Sequence, residues 1–148
     1  MALYGPIVLI EDDENDADVI ITAIKDLGIP NQIDYFRSAQ ESYEYLKTTK
    51  LKPLVLFSDI RMPGLDGLTL LKRIHADEYL RLKAVPFIFL TGIVTQAVID
   101  EAFNIGIQGI YSKPSDYVKL RDLVRIIVTY WIHSEHPSTA YSDRSTQP

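Results

Sequence analysis

Five short apolar runs, residues 7–10, 33–36, 54–58, 86–91 and 109–112, divide the chain, and the stretches between them carry apolar residues at helical spacing. Short runs of Val, Ile, Leu and Phe suit strands covered on both faces. Strands that alternate with helices pair in parallel, because parallel neighbours need a crossover to join them. Crossovers are right-handed, and they lay helices on both sides of the sheet. The pattern therefore predicts an α/β fold, a five-stranded parallel sheet with helices on both faces. Periodicity leaves the strand order open.

The connecting segments carry start and stop signals. The first helix has Ala17, Ile20, Ile21, Ile24 and Leu27 as its apolar stripe. It opens on the acidic residues 11–16, which supply caps and suit the positive end of the helix dipole, and it stops at Gly28 and Pro30. Ser38 followed by Glu41 is a capping box for the second helix. A third begins near Gly67 with Leu68, Leu71 and Ile74, and a fourth is capped by Thr95 and ended by Gly106. Ser115 opens a long last helix with Leu120, Leu123, Val124, Ile127 and Trp131 on one side. Residues 77–84 form a polar, charged connection whose last part fits either helix or loop. From His133 to Pro148 the apolar content is too low for ordering. This predicts one folded domain over residues 1–132 and a disordered polar tail over 133–148.

What ends the strands carries the chemistry. Glu11 and Asp12 follow the first strand, Asp59 the third and Lys113 the fifth, while Thr91 closes the fourth. In a parallel sheet these ends share one edge, where open α/β sheets bind their ligands. Each residue alone has a plain reading. The acidic run is a solvated helix start, Asp59 before Pro63 and Gly64 is a turn residue, and Thr91 and Lys113 are strand-end polar groups. Together they gather three carboxylates, a hydroxyl and an ammonium. Crowded carboxylates raise one another's pKa unless a cation neutralises them, and hard oxygen ligands suit Mg²⁺. A lysine opposite them holds a phosphoryl oxygen as a point charge. The set fits phosphoryl transfer to Asp59, with Asp12 and Asp59 holding Mg²⁺.

Composition removes other classes. A net charge of −5 without a basic run argues against direct nucleic-acid binding. The absence of cysteine excludes disulfides, thiolate nucleophiles and cysteine zinc sites. No leader pattern opens the chain and no apolar stretch is long enough to span a bilayer, so a cytoplasmic protein without membrane insertion is expected. His75, His133 and His136 do not combine at metal-ligand spacing and are expected on the surface.

Four segments stand in the order and spacing of a known family: Val8-Leu9-Ile10-Glu11-Asp12-Asp13, the stretch Ser58-Asp59-Ile60-Arg61-Met62-Pro63-Gly64-Leu65-Asp66-Gly67, Phe89-Leu90-Thr91-Gly92, and Gly109-Ile110-Tyr111-Ser112-Lys113-Pro114. From about Ile7 to Ile132 the chain resembles the receiver domains of two-component response regulators, the CheY-like family with a flavodoxin-like (βα)5 fold. The resemblance implies Asp59 as phosphoacceptor and Asp12 as a direct Mg²⁺ ligand, with Glu11 acting through water and the Arg61 backbone carbonyl completing the metal site. It implies Thr91 as the switch hydroxyl, Lys113 as its charge partner and a cis Lys113–Pro114 bond. It also implies a sensor histidine kinase or phosphotransfer protein as donor, and a downstream protein target reached by phosphorylation-shifted contacts, without enzyme activity on other substrates.

Two departures stand out. Ile110 occupies the place of the family's usual aromatic, while strand alternation sends the adjacent Tyr111 to the other face. Gly92 replaces the more frequent alanine. In the family the places of Arg61 and Ile93 flank the path of the attacking water, which implies slow self-dephosphorylation here. Val118 and Ile126, with Tyr117 and Tyr130, are either tolerated exposed apolar residues or a docking or homodimer face on the last helix.

Rival readings fail on particular residues. An aspartate-nucleophile phosphatase needs an acid two residues after the nucleophile, where Arg61 stands. A dinucleotide fold needs glycines where residues 11–16 are acidic. The remaining alternative is a receiver-like docking module acting without phosphorylation. The tail beyond Ile132 is too short for an output domain, so a single-domain regulator is expected.

Overall fold

The computed structural model describes residues 5–138. In chain order they form β1 (Ile7–Ile10), α1 (Glu14–Lys25), β2 (Ile33–Phe36), α2 (Ala39–Thr48), β3 (Val55–Ser58), α3 (Gly67–Ala76), α4 (Glu78–Lys83), β4 (Phe87–Thr91), α5 (Gln96–Ile105), β5 (Gly109–Ser112) and α6 (Tyr117–His133). The strands make one sheet in the order β2-β1-β3-β4-β5, every neighbouring pair parallel. This is the flavodoxin-like doubly wound order, whose switch point lies between β1 and β3.

Alternation along the strands divides the core in two. Ile7, Leu9, Val55, Phe57, Ile88 and Leu90 face α1 and α6, where Ala17, Ile20, Ile24, Leu120, Val124 and Ile127 cover them. Val8, Ile10, Leu56, Phe87 and Phe89 face the other way, against Leu46, Leu70, Leu71, Leu80 and Ala102 of α2 to α5. Ile110 joins this second cluster and Tyr111 the first, so the two residues lie on opposite faces of β5.

The undecided segment 77–84 is a short helix, giving six helices among the described residues. Asp77 caps it through Leu80 N–H, Leu80 is buried in the second core, and Ala84 ends it in a left-handed conformation. Lys83 is only 4% exposed. Its ammonium donates to the carbonyls of Leu46 at 2.9 Å and Thr49 at 2.5 Å and to the Tyr79 hydroxyl at 3.2 Å. Carbonyls at the end of α2, which the helix itself leaves unbonded, are satisfied in this way.

The segment after α6 folds back as far as it is described. His136, expected on the surface, is 2% exposed. Its Nε2 donates to the Leu54 carbonyl at 2.6 Å, and its Nδ1 accepts from the Ser138 N–H at 2.8 Å. That pair of bonds fixes the neutral ring, and burial pushes its pKa below the usual histidine value. Residues 139–148, the rest of the expected tail, lie outside the described residues. No described helix is long and apolar enough to cross a membrane.

Candidate functional site

The loop after β3 is tied down on both sides of Asp59. Asp59 N–H donates to the Ile10 carbonyl at 3.2 Å, and the Ser58 hydroxyl bonds the Asp59 carbonyl at 2.7 Å. Ile60 and Met62 are buried in the second core and anchor the residues that follow. Gly67 lets α3 come against this loop: a Cβ there would sit 2.4 Å from the Asp59 carbonyl and 2.8 Å from the Phe89 ring. Gly67 N–H in turn donates to the Ile60 carbonyl at 2.8 Å. Gly64, at φ +76°, makes the left-handed turn between Met62 and Gly67.

The five strand-end side chains meet at one edge. The Lys113 ammonium lies 2.9 Å from Glu11 Oε1, 3.2 Å from Asp59 Oδ2 and 3.2 Å from Asp16 Oδ2. Glu11, Asp12 and Asp59 each present an oxygen, all within 4.8 Å of one another. Thr91 is buried, with its hydroxyl close enough to Asp59 to favour the ionised carboxylate, and its carbonyl accepts the Lys113 N–H at 2.8 Å. Arg61 is exposed beside the buried Met62, and Ile93 is 59% exposed.

The charges are unbalanced. Burial pushes the Glu11 carboxyl up to about 8, more than Lys113 can offset. Burial also raises Asp59, but the Thr91 hydroxyl, the Lys113 ammonium and the Ile60 N–H outweigh it and hold that carboxyl below its ordinary value. Burial lowers Lys113, yet Glu11 and Asp59 raise it further than burial lowers it. Glu11 Oε2 is buried with no hydrogen-bond partner. An orphaned carboxylate oxygen beside two more carboxylates, with one lysine among them, fits a hard divalent cation and its bound water.

Two features depart from the expectations. The Lys113–Pro114 bond is trans, as no described peptide is cis; trans is the preferred state even before proline. Asp16 joins the site although its run reads as helix capping. Asp13 supplies the cap instead, accepting the Asp16 N–H at 3.0 Å. Only the place of Asp16 in the first turn of α1, just beyond Asp12, hints at its reach.

Comparison with known proteins agrees with this geometry. The family model for the response regulator receiver domain matches residues 7–125. FilR2 of Methanothrix harundinacea (strain 6Ac), a probable methanogenesis regulatory protein, is 28% identical over 130 residues, 85% of this chain and 83% of that protein. The DNA-binding transcriptional regulator NtrC of Klebsiella pneumoniae is 32% identical over 132 residues, 89% of this chain but 26% of NtrC. The chain likewise spans 53% and 49% of two other curated relatives. The crystal structure of the phosphorylated cyanobacterial phytochrome response regulator RcpA superposes with a TM-score of 0.80 at 21% identity, covering 89% of this chain and 96% of that one. With the matched segment, the sheet order and the carboxylate-lined edge in agreement, the chain belongs to the receiver domains of two-component response regulators.

Proposed function

We propose that Asp59 is the phosphoacceptor of this receiver and takes a phosphoryl group from the histidine of a sensor kinase or phosphotransfer protein. The observation that carries this reading is the three-way hold on Asp59, with Thr91, Lys113 and the Ile60 N–H around one carboxylate at the sheet edge. These contacts keep it ionised, as a nucleophile must be. A carboxylate oxygen forms the bond to phosphorus as the bond from phosphorus to the histidine nitrogen breaks. The electron pair stays on the imidazole, and the product is an acyl phosphate.

Lys113 and the Thr91 hydroxyl offer a positive charge and a hydrogen-bond donor to the oxygens of the transferring group. Asp12 and Asp59, the Arg61 carbonyl, and Glu11 through a water, are the groups that would hold Mg²⁺. Such an ion supplies positive charge against the phosphoryl oxygens. Phosphorylated Asp59 no longer pairs with Lys113 as a carboxylate, so Thr91 and Lys113 turn to the phosphoryl oxygens and shift the surface of α5, β5 and α6. Output is by protein contact with a downstream target. The exposed Val118, Ile126 and Tyr130 of α6 offer a face for a second copy, which sedimentation of the unphosphorylated and phosphorylated protein would detect.

Intact mass after incubation with acetyl phosphate tests the reading. One phosphoryl group gained, dependent on Mg²⁺ and absent from Asp59→Asn, is the expected result. A docking module acting without phosphorylation would gain none from any donor, kinase included. Arg61 and the exposed Ile93 hinder the attacking water, so the acyl phosphate is long-lived and Ile93→Glu shortens its lifetime severalfold. An unchanged lifetime would remove that part of the reading.

A further inference from the structure

Three carboxyl groups of graded exposure hold Lys113. The Glu11 side chain is 2% exposed, that of Asp59 14% and that of Asp16 52%. A lysine ammonium has three N–H groups, so these partners occupy all of them. Glu11 and Asp59 already have parts in the phosphoryl-transfer site. Asp16 stands apart from the carboxylates grouped for a cation, and its side chain is not needed as a helix cap because Asp13 fills that place. With Lys113, Val19, Pro114 and Ser115 it lines an open groove of about 290 Å³ at the mouth of the site.

A phosphoryl oxygen that reaches Lys113 must displace one of the three partners. Glu11 is buried and makes the shortest bond, and Asp59 carries the incoming group. Asp16 is the most exposed partner and the one held most weakly, since pairs open to water are worth least. We propose that Asp16 is a positioning residue for phosphoryl transfer. It holds the third Lys113 N–H at the α1 side of the mouth in the resting protein and gives it up as Asp59 is phosphorylated. This inference rests on the reading of Asp59 as phosphoacceptor and Lys113 as the charge partner of the phosphoryl group.

The test is the initial rate of phosphorylation by acetyl phosphate with Mg²⁺, followed by intact mass. In this reaction Asp59 bonds to phosphorus and acetate leaves with the electron pair. Asp16→Asn keeps the shape and the helix but removes the charge, and it should speed the reaction about two- to fivefold at low salt, the range an exposed ion pair spans. The gain should shrink toward none near 1 M salt, where screening reaches only about 3 Å. Asp16→Glu restores the charge and should return the rate toward that of the parent protein. A merely structural role would produce neither the salt dependence nor the rescue. An Asp16→Asn rate equal to that of the parent, a gain indifferent to salt, or an Asp16→Glu protein as fast as Asp16→Asn would each overturn the proposal. If instead the parent protein gained no phosphoryl group, or Asp59→Asn gained as much, the phosphoacceptor reading itself would fall.

Discussion

Lys113 and Lys83 are both nearly withdrawn from water, yet opposite kinds of partner hold them. Lys113 sits at the reactive edge among carboxylates, with Glu11 and Asp59 close and Asp16 at the rim. Lys83 sits under α2 and bonds two backbone carbonyls and a tyrosine hydroxyl, while Asp77 nearby pairs with Lys47. Carbonyl partners are fixed by the fold and do not change charge between pH 4 and 9. Carboxylates change with protonation, with a bound cation and with phosphorylation. A buried ammonium on neutral acceptors is therefore a fastener, and one among carboxylates is a reporter of whatever alters them.

Exchanging the two lysines for a side chain of similar length breaks the comparison most directly. Lys113→Met should slow phosphorylation of Asp59 by at least about a hundredfold, the cost of losing one charged donor to a transferring group. The same change should leave the fold intact once Mg²⁺ is present; rate by intact mass and fold by circular dichroism decide it. Lys83→Met should do the reverse. It strands the carbonyls of Leu46 and Thr49 and should cost about 2 kcal/mol of unfolding free energy in urea titration, with the phosphorylation rate unchanged. Equal behaviour of the two variants in both assays would erase the distinction.

The acid side of the site sharpens it. The Glu11 carboxyl stands at about 8 in the fold against an ordinary 4.5, so the folded state keeps a proton that the unfolded chain releases. Its contribution is fully present below about 4.5 and is lost as pH rises through about 8. Buried His136 acts in the opposite sense, its contribution being lost as pH falls below 6.5. Asp59, held low, acts only below the ordinary carboxylate range. The difference between the parent protein and Glu11→Gln, measured without divalent cations, cancels the other two groups. It should grow in favour of Glu11→Gln from pH 5 to 8. A flat difference would mean that Glu11 is not held protonated. The smallest effect belongs to the exposed neighbour of Lys83: Lys47→Ala removes the pair with Asp77 and should leave both stability and phosphorylation unchanged within error.

The strands and the strand-end chemistry are legible in the sequence because both depend on local signals. Residues 7–10, 33–36 and 109–112 are strands at the expected bounds, and residues 54 and 86 fall just outside β3 and β4. Side chains at the ends of parallel strands share an edge by topology alone, so Glu11, Asp12, Asp59, Thr91 and Lys113 can be placed together without coordinates. The features the sequence hides are partners set by tertiary approach. Lys83 looks like one more charge in a polar segment, and its acceptors lie 37 and 34 residues away. His136 meets Leu54 across 82 residues, and Asp16 meets Lys113 across 97. No periodicity spans such distances. The undecided segment 77–84 becomes a helix because Leu80 finds a place in the core, which its charged neighbours conceal.

The mooring of His136 on Leu54 gives α6 a mechanical character. Its 17 residues run about 25 Å, from the neighbourhood of Lys113 and Pro114 at the carboxyl edge of the sheet toward its amino edge, where the imidazole is bonded to the residue before β3. The opposite end is tied as well, since the Tyr117 hydroxyl donates to the Asp26 carboxylate, and Leu120, Val124 and Ile127 seat the length between in the first core. A rod moored at both poles moves as one body or stays where it is. Any displacement of Pro114 would then reach Val118 and Tyr130 together, as a shift of the whole outer face of α6.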